Sequence, residues 1–68
     1  MRRFEFVGGG VAKFWEIDVK GKEVQVRFGR NGTHGQREVK RFADEAKANK
    51  HADKKIAEKV GKGYREVN

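Results

Sequence analysis

A chain of 68 residues with no Cys and no Leu holds one domain with a thin core, and neither a disulfide nor a thiolate zinc site can brace it. Charged residues make up 40%, and 17 Lys and Arg against 10 Asp and Glu leave a net charge of +7, which favours polyanionic partners such as nucleic acid. The lack of Ser as well as Cys leaves Thr33 and Tyr64 as the only hydroxyls, so a nucleophile with an adjacent base is hard to assemble and no enzymatic activity is expected.

Phe4 and Phe6 alternate with Arg3 and Glu5, a period-two pattern that predicts a first strand. Three glycines at 8–10 end it, since they permit almost any turn. VAKFWEIDV, residues 11–19, reads as a second strand with Trp15, Ile17 and Val19 on one face. Lys20-Gly21 predicts a two-residue hairpin loop into a third strand, KEVQVRF, whose inward set is Val24, Val26 and Phe28. Asn31-Gly32 is a strong turn dipeptide, and residues 36–42 predict a fourth strand in which only Val39 and Phe42 are apolar. The glycine-rich stretch between them is therefore a hairpin connection, because glycine loops that cradle phosphate lead into a helix instead.

The pattern changes after Phe42. ADEAKANKHADKKIAEKVGK is rich in Ala, Lys and Glu and predicts a helix, with Ala48, Ala52, Ile56 and Val60 recurring at i+4 as a narrow apolar stripe. Asp44 and Glu45 suit its first turn, Lys59 and Lys62 its last, and Gly61 or Gly63 its end. YREV then returns as a short edge strand. The expected fold is α+β, a single domain over residues 1–68 with four to five antiparallel strands and one helix packed against them. No segment is apolar enough to span a membrane, and MRRFEFVGGG is too short and too charged for a signal peptide, so a cytoplasmic location with no membrane partner is expected. His34 in a turn and His51 on the helix are far apart in sequence, so no metal or cofactor is expected.

Arg27, Arg30, Arg37, Lys40 and Arg41 flank the 31–35 turn, with His34 near its tip. Fork-shaped donors beside turn amides suit phosphate contacts, although such residues also serve simply to solubilise an exposed strand face.

KFWEI, VRFGRNGTHGQ, the helix containing FADEAKANKHADKKIAEK, and KGY together resemble the WGR domain over roughly residues 2–67. That module is named for a Trp-Gly-Arg tripeptide at the end of its third strand, and it occurs in poly(ADP-ribose) polymerases and in small bacterial proteins. The resemblance implies an antiparallel sheet with one helix, and a non-catalytic module that contacts duplex DNA at ends or breaks with little sequence preference. By position, the motif Arg corresponds to Arg30, expected on the DNA backbone, and the motif Trp to Phe28, expected to pack on sugar. Gly29 is the middle of the tripeptide, and Gly32, Gly35 and Gln36 resemble the turn that follows. Tyr64 matches a Tyr that helps hold a terminal 5′ phosphate, and Arg27 and Lys62 are expected as auxiliary contacts. Two departures stand out: Phe-Gly-Arg replaces Trp-Gly-Arg, and Ala12 occupies the position of a phosphate-binding Asn in some polymerases. By alternation Phe28 reads equally well as a core residue, Trp15 reads as core, and Tyr64 could simply cap the sheet edge. The expected partner of this monomer is DNA. The alternatives are an acidic protein bound by the same basic face, or single-stranded RNA stacked on an aromatic sheet face, which burial of Phe4, Phe14 and Phe28 would exclude.

Overall fold

Strands with this alternation pair in chain order. In the computed structural model, which describes residues 1–67, β1 (Arg2–Gly8), β2 (Val11–Lys20), β3 (Glu23–Arg30) and β4 (Gln36–Arg41) form an antiparallel meander. After α1 (Glu45–Gly61), the chain returns as β5 (Arg65–Val67) beside β1, giving the sheet order β4-β3-β2-β1-β5. This is the small α+β arrangement expected from the sequence. No helix among the described residues is long and apolar enough to cross a membrane.

The two tight turns differ in chemistry. Gly9 and Gly10 both have positive φ, 58° and 77°, the type I′ backbone that matches strand twist. The second loop is Gly21–Lys22, not Lys20–Gly21: Lys20 pairs with Glu23, and the position that needs φ 61° falls to glycine, where lysine would be strained.

On the helix side of the sheet Phe4, Trp15, Ile17 and Val24 close over Ala48 and Ala52. Alanine at the contact lets the helix approach closely, and the tilted Phe4 and Trp15 rings meet at 5.6 Å. Val26, Phe28, Phe42, Ile56 and Tyr64 line the margin of this core. The opposite face of β2 is covered as well. Phe14 is buried beneath Arg3 and Arg27, whose guanidinium carbons stand 4.6 and 5.0 Å from the ring centroid. Glu16 ties those two guanidiniums together at 2.9 and 2.8 Å.

Asp44 caps α1, its Oδ1 accepting from the Lys47 amide at 2.8 Å. The apolar stripe stops short of Val60, which is 52% exposed. Each i+4 step overshoots a full turn by ~40°, so Val60 lies ~120° away from Ala48, whereas Lys59 comes back within ~20° of it. Lys59, not Val60, therefore faces the sheet. Gly63 at φ 101° ends the helix: its amide donates to Val60 O at 3.1 Å and the Tyr64 amide to Lys59 O at 3.0 Å, a Schellman cap.

Candidate nucleic-acid interface

β3 outruns β4. Phe28 pairs with Gln36, the first residue of β4, so Gly29 and Arg30 pair only with Phe14 and Lys13 of β2. Alternation with Phe28 brings Arg30 out on the helix side of the sheet, exposed and directly opposite Lys13. Like charges opposite one another across an antiparallel pair are destabilising.

The turn beyond is closely specified. The Thr33 amide and Oγ1 both donate to Arg30 O, at 3.1 and 2.7 Å, and Gly32 takes φ 88°, as the third position of a type II turn requires. The Asn31 amide donates to Ala12 O at 3.0 Å, lashing the turn to β2. A Cβ on Gly29 would lie 2.8 Å from the Gly35 Cα, and one on Gly35 would collide with the Phe28 carbonyl. The middle glycine of the tripeptide is thus needed because the returning chain crosses it.

A run of cations and rings continues from Arg30. Lys13 Nζ lies 5.2 Å from the Phe6 centroid, Phe6 meets Tyr64 at 5.5 Å, and Lys59 Nζ stands 5.2 Å from Tyr64 and 5.7 Å from Trp15. Burial pushes the Lys59 ammonium below its ordinary value, and the charges of Lys62, Lys55 and Lys13 push it further. Among the described residues, Lys13, Arg30, Lys59 and Lys62 take part in no ion pair, while Glu58 reaches Lys55 at 3.5 Å instead. The result is a basic edge with no ion pair of its own, on which the Glu58 charge only partly offsets the cations around Lys59.

Not every residue picked from the sequence belongs to this edge. Gln36, Lys62 and Arg30 are exposed there, and Tyr64 is half-buried against Phe6. Phe28 is half-buried at the core margin, so only part of its ring is free. Arg27 faces the other way: its Nε donates to Glu16 at 2.8 Å and its Nη1 to the His34 carbonyl at 3.2 Å. Foremost the Arg27 hydrogen bond, and then Arg3, hold the Glu16 carboxyl below the usual carboxylate range against the opposing cost of burial. Arg37 pairs with Arg27 on that far face, Arg41 reaches Glu23 at 3.2 Å, and Lys40 lies over Phe42. His51 stacks on Phe42 at 4.8 Å, and no group of three or more His, Asp or Glu among the described residues is placed to hold a metal. Phe4 and Phe14 are buried but Phe28 is only half-buried, so the burial that would exclude bases stacked on the sheet is met at two of the three rings. Lys59 is the member of the edge that reading the sequence as an i+4 stripe missed, although its place eleven residues after Ala48 carries the signal.

A family model described as WGR domain matches residues 1–68. Protein YehF of Escherichia coli (strain K12) is 42% identical over 64 residues, which cover 94% of this chain and 23% of that protein. Uncharacterized protein YfeS of the same organism is 38% identical over 65 residues, covering 96% of this chain and 27% of its own length. A crystal structure of a Bacteroides fragilis protein matches 98% of this chain and 19% of its own at a TM-score of 0.96 and 48% identity. The chain thus spans about a quarter of the length of the curated relatives it matches.

Proposed function

Since the chain belongs to the WGR domain family, known in poly(ADP-ribose) polymerases as a nucleic-acid-binding module, we propose that it is a non-catalytic module that binds the backbone of duplex DNA. The observation that carries this reading is the Lys13–Arg30 pair. Two cations face each other across strands, Lys59 and Lys62 are added at the helix end, and none of the four has an acidic partner among the described residues. An arrangement that costs the isolated fold stability is offset when a polyanion supplies the missing charge.

Arg30 is the central phosphate contact, presented by a braced turn, and the free part of Phe28 packs on the adjoining sugar. Tyr64 and Lys62 border the same surface. Phosphate contacts position a protein without reading bases, so sequence preference is slight. Ala12 has no side-chain donor, and the neighbouring Asn31 amide already donates to the Ala12 carbonyl, which weakens any selective grip on a 5′ phosphate.

The test is anisotropy binding to short labelled duplexes, with and without a 5′-phosphorylated nick, titrated over salt. With about four phosphates neutralised, log K falls against log salt with a slope of about −3.5, and Arg30→Ala makes it shallower by about 0.9. A slope near zero would sink the reading. The relatives' much greater length favours a second one, in which the edge docks on an acidic protein segment. On that reading Arg30→Ala leaves residual DNA binding unchanged.

A further inference from the structure

β4 is the outermost strand on its side of the sheet, and all six of its residues are exposed. The helix packs chiefly on β2 and β3. We propose that the outer edge of β4 takes up an extended acidic segment of a partner protein as a sixth strand. The proposal stands apart from the DNA-binding reading, which uses the Arg30 turn and the end of α1.

The backbone register defines this edge. The Phe42 amide donates to Lys22 O at 2.8 Å, continuing the register in which Arg41 stands opposite Glu23. In an antiparallel ladder such bonded pairs alternate with unbonded ones. Gln36, Glu38 and Lys40 therefore turn their N–H and C=O groups toward β3, and Arg37, Val39 and Arg41 turn theirs outward. Edges of this kind are blunted in many sheets by a bulge, a proline or short length. Here the pairing with β3 runs unbroken along the whole of β4, and the chain has no proline. The strand at the opposite edge, β5, is only three residues long.

Charge selects the occupant. By their partners in β3, the side chains of Arg37, Val39 and Arg41 share the far face, and those of Gln36, Glu38 and Lys40 the helix side. β4 thus carries three cations against one acid, Glu38. Arg41 reaches Glu23 with 84% of its side chain still exposed, Lys40 lies over Phe42, and Arg37 and Glu38 take part in no ion pair among the described residues. A second copy of the chain fits badly. Two-fold pairing about Val39 matches Glu38 with Lys40 of the other copy, but it sets Arg37 against Arg41 twice, between chains of net charge +7. An antiparallel acid-x-Val-x-acid segment instead places a carboxylate opposite each arginine and an apolar side chain opposite Val39, which is 53% exposed.

The probe is a short synthetic peptide, acetylated and amidated, with Glu-Thr-Val-Thr-Glu at its centre. Amide hydrogen exchange of the isotope-labelled protein is followed by NMR as peptide is added. Protection is expected to rise at Arg37, Val39 and Arg41, while the amides of Glu38 and Lys40, already bonded to β3, change little. Val39→Pro removes an outward N–H and no ladder bond, a substitution that edge strands tolerate, and is expected to abolish saturable binding. Arg37→Glu leaves the backbone intact and keeps the test decisive should Val39→Pro fail to fold. It is expected to weaken the peptide by about fivefold, and a peptide with Lys opposite position 37 to recover the loss. Lack of saturable binding overturns the added strand, as does binding that both variants leave unchanged. Protection that falls on α1, or evenly along β4, overturns it too. Displacement of the peptide by duplex DNA, with the alternation missing, would assign the β4 cations to phosphate instead. The same alternating protection appearing with protein concentration alone would make a second copy the occupant and overturn the acidic partner.

Discussion

Glycine at position 35 is imposed by its neighbours. A Cβ there would collide with the Phe28 carbonyl and come within 2.9 Å of the Phe14 Cζ, and φ is 68°, where an L side chain is strained. Gly32 shares the positive φ, at 88°, but faces open space. The two positions therefore separate backbone strain from crowding. Gly32→Ala is expected to cost about 1–2 kcal/mol, the price of the left-handed backbone alone. Gly35→Ala carries that cost and must also displace the Phe28–Gly29 strand on which Arg30 is mounted. Thermal unfolding followed by circular dichroism checks this: the melting temperature should drop by about 4–8 °C per kcal/mol lost, and further for Gly35→Ala than for Gly32→Ala. Equal drops would mean that the crossing relaxes freely. Either way Gly29 and Gly35 set the shape of the turn that carries Arg30.

Strands and helix were legible wherever one face of an element was dry and the other wet. Trp15, Ile17 and Val19 of β2 and Val24, Val26 and Phe28 of β3 gave themselves away by alternation, and all six lie in the helix-side core or its margin. What alternation concealed is the far side of β2. Phe14 and Glu16 are as buried as their neighbours, but the cover is made of Arg3 and Arg27, which a sequence shows only as exposed charge. For the same reason Arg27 looked like a ligand contact, when it links β2, β3 and the His34 carbonyl. Val60 reads as part of the stripe because three equal steps look regular in a sequence, while a helix of 3.6 residues per turn drifts away from them. The network around Glu16 has a pH signature. Its folded pKa lies below the ordinary 4.5, so its contribution is fully present above that value and is lost as the pH falls through the lower, folded one. Glu16→Gln is expected to cost about 1–2 kcal/mol at neutral pH, with the gap to the parent closing in acid below about pH 4. Denaturant unfolding at a series of pH values measures that gap, and one that persists undiminished in acid would show that shape at position 16, not charge, holds the three strands.

Taken whole, the chain sets a thin core against an excess of positive charge. A domain this small buries only about 60% of the surface its unfolded form exposes, so modest electrostatic terms matter to its stability. Those terms are unevenly distributed. Glu5 and Glu16 are paired on the far face and Glu66 on the β1–β5 edge, while Lys13, Arg30, Lys59 and Lys62 form no ion pair among the described residues. Exposed pairs such as Arg2–Glu66 and Arg41–Glu23 add little, and the Glu16 carboxylate is shielded from solvent ions by its burial. Added salt therefore screens mainly repulsion, over a Debye length that shrinks from about 10 Å at 0.1 M to about 3 Å at 1 M. On the proposed DNA-binding reading, folding stability and duplex affinity respond to salt with opposite signs, because the four cations that oppose the isolated fold would be the ones that attract phosphates. Melting curves in rising sodium chloride should move upward while the duplex binding constant falls, and Lys59→Met should blunt both trends. A melting temperature that falls with salt would mean that the ion pairs outweigh the basic edge, and the lack of ion pairs on that edge would no longer mark it as a binding surface.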